Sequence, residues 1–208
     1  MPTIDPAALG PAECYRLLIS TIVPRPIAWV STCTVDGVGN LAPYSFFNGI
    51  TAAPPTLMLS IGKREPAKDT LTNIRATGEA VVHLPRPADI EAVHQCGGEY
   101  MAGIDEAEQL SLPMVASERV APRRLVHAPV AFECRLHAEH VVHSATVVFL
   151  EIVLVHVDEA VCGEHAWPDP HKLVTLARLG ERSYLASEAW DVVDQGKQDV
   201  PEDLRRPR

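Results

Sequence analysis

Residues 25–73 concentrate groups that could grip a small polar molecule. Arg25, Ser31, Thr32, Asn40, Ser45, Asn48, Lys63, Lys68, Asp69, Thr70 and Asn73 fall around expected strand ends and turns. "NLAPYSFFNGIT", residues 40–51, sets Tyr44, Phe46 and Phe47 among Asn40, Ser45 and Asn48. A strand that only packed a core would not need so many amides and hydroxyls. "KREPAKDT", residues 63–70, places Lys63, Arg64 and Lys68 just before an expected helix. A helix start offers unpaired N–H groups and the positive end of a dipole, which suits a phosphate. Aromatic and apolar strands beside hydroxyls, amides and a helix start suit a planar ring with a phosphate tail. A solvated charged loop with Asp69 or Thr70 as the helix cap fits the same spacing equally well.

Other chemistries find less support. His137, His140 and His143 crowd "RLHAEHVVH", but the valines around them favour a strand. A strand puts 137 and 143 on one face about 20 Å apart and 140 on the other, so no metal site is expected. His156 is expected to be structural. No GxSxG elbow, no GxGxxG after a strand and no GxxxxGK[ST] is present; acyl transfer, a Rossmann dinucleotide site and a P-loop are therefore not indicated. Cys14, Cys33, Cys96, Cys134 and Cys162 are scattered, odd in number and without a CxxC pair. Free thiols in a reducing cytoplasm are the expectation.

The 208 residues carry a formal net charge of -9, which argues against non-specific binding to nucleic acid or to an anionic membrane surface. No apolar run approaches the ~18–20 residues of a membrane span. The start, "MPTIDPAALGPAECYRLL", does not read as a secretory signal. Cytoplasmic residence is the corresponding expectation.

The elements that must position these groups are mostly strands. A short helix is expected over 11–18, after Asp5, Pro6 and Pro11. Strand-favouring residues fill 27–31, and Asp36-Gly37 signals a hairpin turn. "TLMLSIG" reads as a strand closed by Gly62. A helix follows from Lys68 or Asp69 to a stop at Gly78, then the strand "EAVVHLP". Residues 86–118 read as mixed helix and loop, an excursion from the sheet. "APVAFECRLHAEHVV" and "ATVVFLEIVLVHVDEAV" are two long strands, the second expected to be covered on both faces. Residues 169–187 are expected to hold a loop and a short helix. The tail, 188–208, is polar. Many hairpin-joined strands with few helices predict a mainly β fold with short helices, an antiparallel barrel.

"RPIAWVST", "NLAPYSFFNGITAAPPTLMLSIG" and "KDTLTNI" occur in this order, followed by "VAPRRLVHAPVAFECRL" and "LARLGERSYL". Over about residues 12–187 the chain resembles the flavin reductase-like FMN-binding split-barrel family, its flavoredoxin-like branch most of all. The resemblance implies a six-stranded antiparallel split β-barrel with Greek-key connections. It also implies a homodimer with one FMN per subunit near the interface. Strand 27–32 and segment 42–48, with Tyr44 and Phe46, would flank the flavin. Ser45 and Asn48 would donate to its phosphate or ribityl chain. Lys68, Asp69 and Thr70 would hold the phosphate end, with Lys63 close by. Trp29, Ser31 and Thr32 would lie against the ring or its polar edge, with Arg25 a further contact. Arg178 falls at a family position without a ligand role that can be carried over.

The activity implied is that of an FMN-binding oxidoreductase. NAD(P)H would give hydride to the flavin, and electrons would pass to an acceptor such as a monooxygenase partner. The cofactor carries the chemistry, so no catalytic side chain is expected. The alternative is a non-enzymatic electron-relay protein of flavoredoxin type. A split barrel that has taken another ligand, such as haem or a different flavin, is a third reading. The Gly-Asp-His segment common in dedicated flavin reductases of this family is absent.

Overall fold

A computed structural model of the protein describes residues 1–187; the polar tail lies outside the described residues. Pro11 opens helix α1, Pro11–Thr21, where its missing N–H costs nothing. Strands β1 (Arg25–Pro26), β2 (Ala28–Cys33), β3 (Gly39–Tyr44), β4 (Phe47–Ala52) and β5 (Pro55–Gly62) follow. Gly37, at φ 86°, makes the turn between β2 and β3. Helix α2, Asp69–Thr77, stops where Gly78 takes the left-handed conformation at φ 71°, one that a side chain would strain. Next come β6 (Glu79–Leu84), α3 (Ile90–Gln95), α4 (Glu106–Gln109), β7 (Met114–Val115) and β8 (Arg124–Leu125). The long hairpin is β9 (Val130–Val142) and β10 (Ala145–Val157), and β11 (Leu176–Arg178) and β12 (Tyr184–Ala186) complete the described chain.

The main sheet has seven strands in the order β3-β2-β6-β9-β10-β5-β4, every pair antiparallel. Its two edges, β3 and β4, are consecutive in the chain, joined by Ser45 and Phe46 alone. The sheet therefore curls until its edges meet, and the N–H of Ser60 donates to Phe46 O at 2.9 Å beside that seam. Seven strands stand where six were expected because the path 39–52 bends at Ser45–Phe46 and is divided in two.

Two further expectations are corrected. Residues 169–186 hold strands where a helix was expected: Leu176–Arg178 and Tyr184–Ala186 pair, and β11 also pairs with β1. The buried Leu176 and Ala177 dock this rung on the barrel. Nor is β10 covered on both faces: Thr146, Val148 and Leu150 are buried, while its far end is only half-buried and Val155 is exposed.

Alternation along β2 divides the apolar residues into two cores. Ala28 and Val30 join Leu59, Ile61, Ile74, Val148 and Leu150 inside the barrel. Ile27 and Trp29 face outward and are covered by Val93, Cys96, Leu125 and Leu176. The 86–118 excursion supplies much of that cover, and Glu106 fastens it to the barrel by accepting from the N–H of Leu41 at 2.7 Å.

Buried polar groups are paired with few exceptions. Asn40 Nδ2 donates to Thr32 Oγ1 at 3.2 Å and Thr70 Oγ1 at 3.0 Å, and Asn73 Nδ2 donates to Thr32 Oγ1 at 3.1 Å. These bonds lock α2 onto β2 and β3. His83 is fully buried. Its Nε2 accepts from the N–H of Leu125 at 3.0 Å, so its Nδ1 carries the proton shared with Trp29 O at 2.8 Å. Burial pushes this imidazole down to about 4, keeping it neutral.

Candidate functional site

The site forms at the seam of the barrel. Pro43, Tyr44, Ser45 and Phe46 leave β3 for β4 and border three adjoining clefts. The first, about 320 Å³, lies between the start of α2 and the loop after α3. Arg64, Lys68, Asp69 and Thr70 face Gly97, Gly98, Glu99 and Tyr100 across it, with Asn40 and Glu106 also lining it. The second, also about 320 Å³, runs from Lys68 past Ser45 and Phe46 to Tyr15, Ser60, Gly62 and Ser144. The third, about 240 Å³, lies between Tyr15, Ser45, Arg178 and Tyr184, with Arg25 in its lining. Lys68 and Tyr44 are common to the first two, which together are large enough for a drug-sized ligand.

The start of α2 is rich in unused donors. Lys68 is the residue before the helix, and its carbonyl accepts from the N–H groups of Leu71 at 2.9 Å and Thr72 at 3.1 Å. The N–H groups of Asp69 and Thr70 find no acceptor among the described residues, as the geometry of a helix end dictates. Lys68 is half-buried and its Nζ lies 5.4 Å from the centre of the Tyr44 ring. Neither Lys68 nor Arg64 forms an ion pair among the described residues. Burial holds the Lys68 ammonium below its ordinary range, and Arg64 beside it lowers it further. Burial likewise pushes the Tyr44 phenol up to about 12, although the Thr70 hydroxyl works the other way. The Glu106 carboxyl is raised by burial, with the N–H of Leu41 opposing.

The structure brings Tyr44, Ser45, Phe46, Lys68, Asp69 and Thr70 to one continuous groove, with Arg25 at its end. It places the remaining expected contacts elsewhere. Trp29 points into the outer core and lines a separate crevice with Pro85 and Leu125. Ser31 and Thr32 border another cleft, between the β2–β3 turn and α4, and the Thr32 hydroxyl is taken up by the two asparagines. Asn48 is exposed on β4, its Oδ1 accepting from the N–H of Gly49. Lys63 is exposed, its ammonium donating to His143 O at 2.7 Å. Asn40 sits in strand β3 rather than in the turn where hairpin chemistry would put it.

Several lining residues were not singled out by the sequence reading. Tyr15 arrives from α1, Ser60 and Gly62 from β5, Ser144 from the β9–β10 turn, and Gly97 to Tyr100 from the excursion. The doublet Gly97-Gly98 was a signal that a chain turn was needed there. Nothing local announced that the turn would face α2. Among the described residues no group of three or more His, Cys, Asp or Glu side chains is placed to hold a metal, and no helix is long and apolar enough to cross a membrane.

The chain belongs to the flavin reductase like domain family, whose pattern matches residues 20–173. An uncharacterized protein of Aquifex aeolicus is 35% identical over 173 residues, 82% of this chain and 88% of the relative. The crystal structure of Pseudomonas fluorescens 2-nitrobenzoate 2-nitroreductase NbaA is similar at 28% identity and a TM-score of 0.83, covering 99% of both chains. Nitrilotriacetate monooxygenase component B from Bacillus cereus is similar at 27% identity and a TM-score of 0.85, covering 95% of this chain and 98% of that one.

Proposed function

We propose that the groove along Pro43–Phe46 binds FMN and that the protein is an NAD(P)H-dependent flavin oxidoreductase. The observation that carries this reading is that Lys68 and Arg64, which form no ion pair among the described residues, stand beside the N–H groups of Asp69 and Thr70, which find no acceptor there, in a cleft that Asp69, Glu99 and Glu106 also line. A dianionic phosphate relieves the repulsion between the cations and accepts from the N–H groups. Tyr44 would line the ribityl chain, and Ser45 and Phe46 would border the ring, with the Tyr15 and Phe46 ring centres 6.3 Å apart. Bound FMN supplies an isoalloxazine that takes hydride from a nicotinamide and passes electrons on. The chain's own part is to anchor the phosphate, shape a flat slot and leave one side of it open. No side-chain acid or base is assigned. Residues 48–52 of β4 are all exposed, as are Leu18 of α1 and Ile22 just after it. We assign this edge to a second copy of the chain, which would cover the groove's rim and bring Asn48 into use.

Anaerobic mixing of the FMN-loaded protein with NADH or NADPH tests the reading. The yellow flavin absorbance should bleach in a process that saturates with nicotinamide concentration. Flavin that binds but stays oxidised with both nucleotides would contradict the enzyme reading and favour a protein-fed electron relay.

A further inference from the structure

We infer that the third cleft is a binding subsite for a small planar carboxylate of the benzoate class. Its floor is built from two guanidinium groups on neighbouring rungs, since Arg25 and Arg178 are register partners in the β1–β11 pair. Arg25 is only 4% exposed. Every partner it has is neutral: Ile19 O at 2.7 Å, Ile22 O and Leu179 O at 2.8 Å, and Ser45 Oγ at 3.3 Å. Arg178 donates to the Tyr184 hydroxyl and to Glu181 O at 2.8 Å, and it lies 4.4 Å from the centre of the Tyr184 ring. Neither guanidinium forms an ion pair among the described residues; the Glu181 carboxylate turns to Arg16 instead, at 3.3 Å.

Two like charges therefore sit side by side with no ion-pair partner among the described residues, although Glu181, paired with Arg16, also lines the cleft. Buried charge is costly unless paired. Burial and then Arg178 hold Arg25 below its usual range, with Tyr15 opposing. An anion seated between them removes that cost, and Arg178 can meet a carboxylate with two parallel N–H bonds. The walls set the shape. Tyr15, Tyr44 and Tyr184 border the cleft, and their rings suit a flat ligand. Its 240 Å³ falls short of the ~300–1,000 Å³ typical of drug-sized sites, so a single ring fits and a dinucleotide does not. The Ser45 oxygen accepts from Arg25 Nε, which leaves its hydrogen to donate into the groove shared with the flavin. Placed there, the carboxylate takes the role of a ligand beside the flavin ring. Only this last role rests on the flavin reading; the subsite rests on the cleft.

Calorimetric titration of the full-length protein, with and without FMN, tests it using benzoate and its neutral isostere benzamide. Benzoate should bind at least about tenfold more tightly than benzamide, the scale of a charge-assisted bond. Arg178→Gln should cost benzoate about tenfold or more while FMN affinity stays unchanged, and Arg178→Lys should retain part of the binding. The inference is overturned if wild-type protein does not bind benzoate, or binds both probes alike. It is also overturned if Arg178→Gln with a native melting temperature binds benzoate as wild type does, or if pyrophosphate binds more tightly than benzoate. Should Arg178→Gln fail to fold, Arg178→Lys and the comparison of probes on wild type decide. Benzoate binding without FMN binding would sink the flavin reading and leave the subsite standing. FMN binding without benzoate binding does the reverse.

Discussion

Exchanging Lys68 and Arg64 together for methionine should weaken FMN binding by about 100-fold or more, while riboflavin binding shifts by less than about threefold. Each charge-assisted bond to a phosphate is worth roughly 1.5–3 kcal/mol. The cleft is open to water on one side, so the lower end of that range is the safer sum. Riboflavin lacks the phosphate and reports the slot alone. Methionine keeps most of the lysine stem, so the packing of residue 68 over Tyr44 is largely kept. Fluorescence titration of both ligands measures the two affinities. Equal losses for FMN and riboflavin would show a distorted slot and place the phosphate away from α2. Thr70 is the poorer test: its hydroxyl is buried and already accepts from Asn40 Nδ2, so its removal disturbs the network beneath the helix.

The second large effect concerns stability. Glu133 on β9 is fully buried. Its carboxylate accepts from the N–H of Glu118 at 2.8 Å, the N–H of Arg119 at 2.6 Å and His156 Nε2 at 2.6 Å. It pins the loop before β8 to the barrel wall. Glu133→Leu leaves two N–H groups and an imidazole without their partner, and should cost about 3–5 kcal/mol in urea unfolding. Burial alone would raise this carboxyl, yet the two N–H groups and His156 together hold it below its ordinary value of 4.5. A depressed carboxyl stabilises the fold fully above that value and loses the contribution as pH falls through the folded one. The wild type should therefore lose stability on acidification below about 4.5, and Glu133→Leu should lose less over the same interval. A variant as stable as wild type would show that the loop is held by other contacts. Glu133 borders none of the three clefts, so FMN affinity of the folded variant should be unchanged.

Local rules of the chain recovered most elements. Gly78 ends α2, Asp36-Gly37 turns between β2 and β3, and the valine-rich runs form the β9–β10 hairpin. The cations and helix start proposed to hold a phosphate were legible as a candidate anion site, no better than a solvated loop on spacing alone, because Lys68 to Thr70 are adjacent and a helix start announces its own donors; the family resemblance supplied the phosphate. What the chain did not announce is what depends on which face meets which. Alternation in β2 sends Trp29 to the outer core and away from the groove, where the family resemblance implied a ring contact. The hydroxyl of Thr32 serves Asn40 and Asn73, partners 8 and 41 residues away. Arg178 reaches the cleft only because β11, expected to be helix or loop, pairs with β1. The split in the barrel arises from two residues, Ser45 and Phe46, that look like ordinary strand in the sequence.

If the start of α2 holds the phosphate of FMN, as proposed, a crystal structure of the protein with FMN should show it. Phosphate oxygens should lie within about 3 Å of the N–H groups of Asp69 and Thr70 and of the Lys68 ammonium, with the ring beside Ser45 and Phe46. A phosphate seated elsewhere, or a groove left empty at saturating FMN, would contradict it.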